Sequence, residues 1–193
     1  MGGGGWLHAA FMANVFDVIT PKLAGWIAEQ KMFFVSTAPL AETGHVNCSP
    51  KGGDSFRVLG PREVAYADQT GSGIETVAHL RENGRIVVMF CAFEGGPQIV
   101  RLHGRGEVIT PAHADFEELK KGFPLILGLR VIIRIKVSRI GDSCGYSVPF
   151  YDYVGPRDLL DRWCEKKGPQ GLVEYRAQKN AASIDGLPGL DES

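Results

Sequence analysis

Residues 47–52 (NCSPKG) combine residue types that bind phosphate, at a spacing that places them on one side of a strand. Ser49 and Lys51 are two positions apart, and side chains at i and i+2 of a strand point to the same face. A hydroxyl group and an ammonium group on one face can both donate hydrogen bonds to a phosphate. Taken alone, the stretch is explained more simply by Lys51 being a solvated turn residue.

A glycine-rich turn, residues 70–76 (TGSGIET), follows about twenty residues later and opens a helix. Thr70 and Ser72 carry hydroxyl groups, while Gly71 and Gly73 let a ligand approach the backbone closely. Free N–H groups at a helix N-terminus are a further phosphate-binding feature. The two stretches together predict a phosphate cradle. The alternative, that Ser72 only caps its helix, stays open for the turn taken by itself.

A third candidate binding residue is Gln98, which directly follows the glycine-rich turn at residues 94–97. A primary amide at the start of a strand offers both a donor and an acceptor, as the polar edge of a planar heterocycle requires. An ordinary exposed strand residue is the competing interpretation.

The sequence names no catalytic residue. It contains no G-x-S-x-G motif, and its four cysteines show no C-x-x-C spacing, so we expect neither a serine hydrolase nor a metal site. Since Cys48 alternates with Asn47 and Ser49, we expect its side chain to face the barrel interior. We expect His79, with Arg81 and Glu82 close by on its helix, to be solvated.

Several β-branched and aromatic stretches separated by turn residues predict strands in hairpin order. A helix after nearly every strand, which a parallel α/β sheet requires, is absent from the pattern. We therefore predict a mainly β (α+β) fold, an antiparallel split β-barrel of six to seven strands with peripheral helices. The predicted strands cover residues 31–38, 45–50, 56–59, 63–68, 85–93, 98–109 and 129–138.

Helix-start signals occur at Thr20-Pro21, at Thr110-Pro111 and at Ser72, where Glu75 completes a capping box. Amphipathic segments at residues 157–167 and 172–180 predict two more helices. We expect residues 1–18 to be a flexible N-terminal arm. Residues 19–193 then form one domain with a C-terminal helical extension from about residue 155.

Composition limits the classes of partner. The chain has 193 residues, a formal net charge of −1 and 44 % hydrophobic residues, as a single compact domain does. A near-neutral chain gives no electrostatic reason to expect nucleic acid as a partner, and no apolar run approaches the length of a membrane span. Scattered cysteines are typical of a cytoplasmic protein with reduced thiols.

The same stretches carry a family resemblance. The chain resembles the pyridoxamine 5′-phosphate oxidase-related family, which has an FMN-binding split β-barrel, and the combination of N-x-S-P-K-G with T-G-S-G is fairly specific. The resemblance covers about residues 20–140, and residues 142–149 resemble a poorly characterised branch of that family. The matching segments are residues 33–38, 47–52, 56–59, 65–73 and 89–93.

The resemblance implies a homodimer with FMN bound in grooves between the subunits. It places Ser49 and Lys51 along the flavin and its phosphate, and Gln98 near the flavin ring. Asn47 and Cys48 would offer backbone groups to the ring. The turn residues Thr70, Gly71, Ser72 and Gly73 would lie on the phosphate side.

The C-terminal part departs from the family pattern, since we find no counterpart of the basic substrate-phosphate site of the pyridoxal-forming enzymes. The resemblance therefore implies an FMN-dependent oxidoreductase that transfers hydride between bound FMN and a small substrate or a nicotinamide cofactor. Two alternatives stay open. One is a flavin-binding or storage protein without turnover, and the other is a split barrel that uses F420 or haem.

Overall fold

A computed structural model describes residues 14–190. Within this range the chain forms eight strands and four helices. In chain order they are β1 (Asn14–Phe16), α1 (Pro21–Glu29), β2 (Met32–Thr37), β3 (Asn47–Gly52), β4 (Phe56–Gly60), β5 (Glu63–Gln69), α2 (Glu75–Asn83), β6 (Arg85–Cys91), β7 (Ile99–Ile109), α3 (Phe116–Lys120), β8 (Leu129–Ser143) and α4 (Leu159–Lys179).

The strands form one antiparallel sheet in the order β3-β2-β6-β7-β8-β5-β4, with the short β1 paired to β8. The predicted fold class, an antiparallel split barrel with peripheral helices, is confirmed. The eighth strand is β1, which lies in the segment that we expected to be a flexible arm. Residues 1–13 of that segment lie outside the described part of the chain.

The barrel has a seam where the two ends of the sheet, β3 and β4, come close. A short connection of residues 53–55 joins these strands, which do not pair with each other in the described chain. Side chains span the seam instead: the Phe33 and Phe56 rings meet edge to face with centroids 5.1 Å apart. The Ser55 hydroxyl also donates to the Gly52 carbonyl at 2.9 Å.

Two helices, α1 and α2, each pack one face against the core of the barrel. At the predicted start of α1, the Thr20 hydroxyl accepts a hydrogen bond from the Leu23 N–H at 3.2 Å, which confirms the cap. The predicted Ser72 capping box is wrong, because α2 begins at Glu75 after an Ile74 cap whose side chain makes no capping bond within residues 14–190. The prediction for His79 is wrong as well, since its side chain is buried among the apolar residues of α2.

The outer face of the sheet carries a second, smaller apolar cluster beneath α3, centred on Phe116, Phe123 and Ile132. The helix that starts at Thr110 in the prediction is reduced to α3, which covers only residues 116–120. The two predicted C-terminal helices are both present as halves of α4. They are separated at Gly168, whose φ of 66° is a left-handed conformation that glycine tolerates.

The C-terminal segment, residues 180–190, folds back onto the start of α2. Leu190 packs against the barrel core, and the N–H of Ile184 donates to the Glu75 carboxylate at 3.3 Å. Asp185 accepts hydrogen bonds from both the N–H and the ring of His45. None of the helices in the described range has the length and apolar character needed to cross a membrane.

Candidate functional site

Strand β3 presents its polar side chains in one row toward the seam. Burial alternates along the strand, so that Asn47, Ser49 and Lys51 are half-buried while Cys48 and Pro50 are exposed. The alternation follows from the two-residue period of a strand. The expectation that the Cys48 side chain faces the barrel interior is therefore wrong: the row that points inward is the one that starts at Asn47.

The row ends in a buried ion-pair network. Lys51 Nζ lies 2.6 Å from one carboxylate oxygen of Asp68, and Arg130 Nε lies 2.8 Å from the other. The Asp68 side chain is 1 % exposed and that of Arg130 5 %, whereas that of Lys51 is 23 % exposed. Two cations and one anion leave one net positive charge, and Lys51 is the member through which it reaches solvent.

Asp68 is held ionised despite its burial. Burial alone would raise the pKa of this carboxyl, but Lys51 and Arg130 outweigh it and hold the pKa below its ordinary value. The two ion pairs thus compensate a charge that would otherwise be costly to bury.

The turn at residues 70–73 is tied down by contacts that sequence reasoning did not find. Both the N–H and the hydroxyl of Thr70 donate to the Gly128 carbonyl, at 2.7 and 2.8 Å. The Gly71 carbonyl accepts a bond from the Asn180 side chain at 2.9 Å and a longer one from Arg130 at 3.4 Å. The Thr70 hydroxyl is consequently committed to the protein, while Ser72 and Gly73 are exposed.

The other end of the row enters a second polar network. The Asn47 amide nitrogen donates to the hydroxyls of Thr37 at 3.2 Å and Thr76 at 2.9 Å. Ser49 donates to the Asn47 amide oxygen at 3.1 Å. The Thr37 hydroxyl also lies 2.9 Å from His79 Nδ1.

Tyr66 lies between the two networks. Its side chain is fully buried, and Lys51 Nζ lies 5.9 Å from the centre of its ring. The hydroxyl is close to Thr76 without reaching the geometry of a hydrogen bond. Burial, together with the negative charge of Asp68, raises the pKa of this hydroxyl well above its ordinary value, so Tyr66 remains neutral.

Gln98 is not brought to the row. Its amide nitrogen donates to the Asp142 carboxylate at 3.1 Å, at the start of β7. Strands β2 and β6 lie between β7 and β3 in the sheet, and neighbouring strands are about 4.8 Å apart. Within one chain, Gln98 and the β3 row therefore belong to different surfaces.

A cavity of about 710 Å³ opens beside Lys51. Its walls include the aromatic side chains of Phe93, Tyr151 and Tyr153, and Lys31 lies 5.8 Å from the Tyr153 ring centre. The long loop after β8 forms this side of the cavity, and the Tyr151 N–H holds it by donating to the Phe93 carbonyl at 3.1 Å. Within the described chain, no group of three His, Cys, Asp or Glu side chains is arranged to hold a metal ion.

The sequence matches a known family model. Residues 19–144 match the model described as pyridoxamine 5′-phosphate oxidase. The chain belongs to the pyridoxamine 5′-phosphate oxidase family. This confirms the resemblance carried by the β3 stretch and the glycine-rich turn.

Individual relatives agree with this assignment. The chain is 41 % identical over 197 residues to the pyridoxamine 5′-phosphate oxidase family protein ustO of Aspergillus flavus, covering 93 % of this chain and 78 % of the relative. It is similar to a solved structure of HupZ from Group A Streptococcus, with a TM-score of 0.51, 25 % identity and coverage of 63 % of this chain and 91 % of that one. A solved structure from Lactobacillus delbrueckii, at 13 % identity and a TM-score of 0.50, shares the fold and covers 65 % and 94 %.

Proposed function

We propose that the protein is an FMN-dependent oxidoreductase that transfers hydride between bound FMN and a small substrate or a nicotinamide cofactor. The observation that carries the proposal is the polar row of β3, which ends in the half-exposed cation Lys51. Such a cation can bind a dianionic phosphate, and Asn47 and Ser49 of the same row are polar groups for the uncharged part of a ligand. Membership in the pyridoxamine 5′-phosphate oxidase family supports the same cofactor.

The residues fit FMN with one change from the sequence-based expectation. Lys51 uses one of its three N–H groups for Asp68 and can donate another to the phosphate. Ser72 and Gly73 are exposed and can contribute as well, whereas the hydroxyl of Thr70 already donates to Gly128. Flavin supplies the redox chemistry when it is bound, and the chain binds and orients it.

The proposal includes a homodimer with its sites between the subunits. Two strands separate β7, which Gln98 precedes, from the β3 row of the same chain, so we infer that a second copy supplies the Gln98 that contacts a ligand on that row. The cavity beside Lys51, with its aromatic walls, is the place that we propose for the small-molecule substrate. A cytoplasmic location, in which the four free cysteines stay reduced, is part of the same proposal.

The first experiment identifies the chromophore and the assembly. We expect the purified protein to be yellow, to release FMN on denaturation, and to have twice the chain mass of 21.0 kDa in solution. A colourless protein that does not take up added FMN contradicts the cofactor. A Soret band would favour haem instead. A monomer that retains FMN contradicts only the site between subunits.

A matched pair of lysine variants tests where the phosphate binds. Lys51→Met is expected to weaken FMN binding by about 1–3 kcal/mol, the range of a charge-assisted contact, and to leave riboflavin binding nearly unchanged. Lys31→Met removes a cation of the same cavity that has no carboxylate partner in the described residues, and should retain FMN. Equal FMN affinity in Lys51→Met and wild type refutes the placement.

A flavin-binding protein without turnover is the second candidate. It is favoured because Asn47 and Ser49 are already hydrogen-bonded within the row. Side chains bonded in this way are better suited to binding a ligand than to transferring protons. Mixing the flavin-loaded protein with NADH or NADPH and then with oxygen separates the two. Bleaching and reoxidation indicate an enzyme, and reduction by dithionite alone indicates a flavin carrier.

A further inference from the structure

His79 is the innermost member of a hydrogen-bonded chain that ends at the polar row of β3. The chain runs from His79 Nδ1 to the Thr37 hydroxyl at 2.9 Å, from there to the Asn47 amide at 3.2 Å, and on to Ser49 at 3.1 Å. His79 is 0 % exposed and Thr37 is 4 % exposed, so water does not compete for these bonds. The chain therefore connects a buried ring to a half-buried hydroxyl.

The direction of each bond follows from the number of protons available. Thr37 accepts from the Asn47 amide nitrogen, so its single proton is free to donate to His79 Nδ1. When Thr37 donates in this way, His79 is the neutral tautomer that carries its proton on Nε2. Ser49 uses its own proton on the Asn47 amide oxygen, which leaves its hydroxyl oxygen to accept further hydrogen bonds.

The opposite order requires every member of the chain to reverse. A proton on Nδ1 would be donated to Thr37, and Thr37 could donate to Asn47 only if the Asn47 amide turned by 180°. That turn would also reverse the 2.9 Å bond between Asn47 and Thr76. Asn47 would then donate to Ser49, whose proton would become free for a ligand. His79 and Thr76 thus act together on whether Ser49 accepts or donates at the site.

Burial favours the neutral ring. It lowers the pKa of His79, against the opposing influence of three carboxylates, those of Asp185, Glu75 and Glu82. Nε2 has no hydrogen-bond partner among residues 14–190. A buried polar group without a partner destabilises the fold, and an aliphatic side chain at this position would avoid that penalty. The bond to Thr37 at Nδ1 is therefore the polar contact that distinguishes the histidine from an aliphatic residue.

We propose that His79 is a positioning residue that acts through Thr37 to fix the Asn47 amide, so that Ser49 offers lone pairs and not a proton to the ligand on β3. Ser49 then recognises a hydroxyl or N–H donor, which belongs to the uncharged part of a flavin, while the phosphate is left to Lys51. The ligand part of this inference rests on the proposed function. The ordering of the hydrogen-bonded chain does not.

The ordering is tested without any ligand, by nuclear magnetic resonance of ¹⁵N-labelled protein. We expect His79 to carry its proton on Nε2, and Thr37→Val to shift the Asn47 side-chain amide resonances and to abolish the tautomer preference. Thr37→Ser, which keeps the hydroxyl, should retain both signals. A proton on Nδ1 in the wild type, or unchanged Asn47 resonances in Thr37→Val, overturns the inference.

Two histidine variants keep the test independent of the threonine. His79→Asn retains an acceptor near the position of Nδ1 and should preserve the Asn47 amide resonances, whereas His79→Leu should not. His103→Asn is the matched control, since the His103 ring makes no hydrogen bond within residues 14–190 and only its backbone carbonyl accepts one, from Ser138. Preservation of the Asn47 resonances in folded His79→Leu contradicts the inference.

The ligand part is tested by titrating riboflavin and FMN separately. Ser49→Ala should weaken both by a similar factor of about 2- to 10-fold, the range of one hydrogen bond, and Thr37→Val should do the same. If Ser49→Ala weakens the binding of FMN but not that of riboflavin, Ser49 donates to the phosphate. That result would overturn the ligand part of the inference. If wild type binds neither flavin, the proposed function fails, and the resonance experiment still decides the role of His79.

Discussion

The side-chain oxygen of Asn180 accepts a hydrogen bond from the Arg130 guanidinium at 2.9 Å. Arg130 in turn binds Asp68, which binds Lys51. The end of α4 is thereby connected through three buried or half-buried side chains to the cation at the candidate site. The C-terminal segment is for this reason a structural part of the site.

Asn180→Ala should destabilise the fold, because it removes the shorter of the two hydrogen bonds to the Gly71 carbonyl and the 2.9 Å acceptor of an Arg130 N–H. The Asn180 side chain is 0 % exposed, so water cannot replace it, and we expect a loss of about 1–3 kcal/mol in urea unfolding. Gln178→Ala, on the exposed side of the same helix end, should change stability by less than about 0.5 kcal/mol. Equal stability of the two variants would contradict the role of Asn180.

Asp68→Asn should be among the most destabilising changes at the site. It leaves Arg130 buried and Lys51 half-buried without their carboxylate, and breaking a buried pair in this way costs about 3–5 kcal/mol. Glu118→Gln is the control, since it removes the exposed pair with Lys121 and should cost less than about 1 kcal/mol. A denaturation midpoint for Asp68→Asn close to that of the control would show that the network is not a net stabilising element.

The pH dependence of stability should carry a contribution from His79. Burial lowers the pKa of His79 in the folded protein below its ordinary value of 6.5, so the unfolded chain binds the proton more tightly. The contribution of His79 to the free energy of unfolding is complete above pH 6.5. It is lost as the pH falls from 6.5 through the lowered pKa that His79 has in the folded protein. Unfolding free energies measured between pH 8 and 5 should therefore fall less steeply in His79→Asn than in wild type, and parallel curves would refute this contribution.

The local features of the fold were readable from the sequence, and the contacts between distant residues were not. The Thr20 cap and the strand that carries Ser49 and Lys51 depend on neighbours within a few residues. The partners of Asp68 and Asn180 do not: Arg130 is 62 residues from Asp68, and Asn180 is 109 residues from the Gly71 carbonyl that it binds. A pattern of residue types carries no information about such pairings.

His79 shows why a helix pattern can mislead. Its charged neighbours Arg81 and Glu82 are exposed and suggested a solvated face, but the five preceding residues of α2, 76–80, are all buried. The polar side chain is accommodated there because Thr37 of a neighbouring strand reaches it. A signal was present in the acidic Asp68, which directly follows residues 64–67 (VAYA) in β5 and indicates that a buried polar network was to be expected.

The glycine at the bulge of β7 provides a last prediction. The pairing of β7 with β8 shifts register between His103 and Gly104. A Cβ atom at Gly104 would meet the backbone carbonyl of Lys136, which cannot move without disturbing β8, so Gly104→Ala should cost about 1–3 kcal/mol or more. Gly60 lies at the register shift between β4 and β5 but has open space around it, and Gly60→Ala should be nearly neutral. Both glycines adjoin a register shift. If both variants lose the same free energy of unfolding, the cause is the loss of backbone freedom at a register shift, and the steric explanation for Gly104 is refuted.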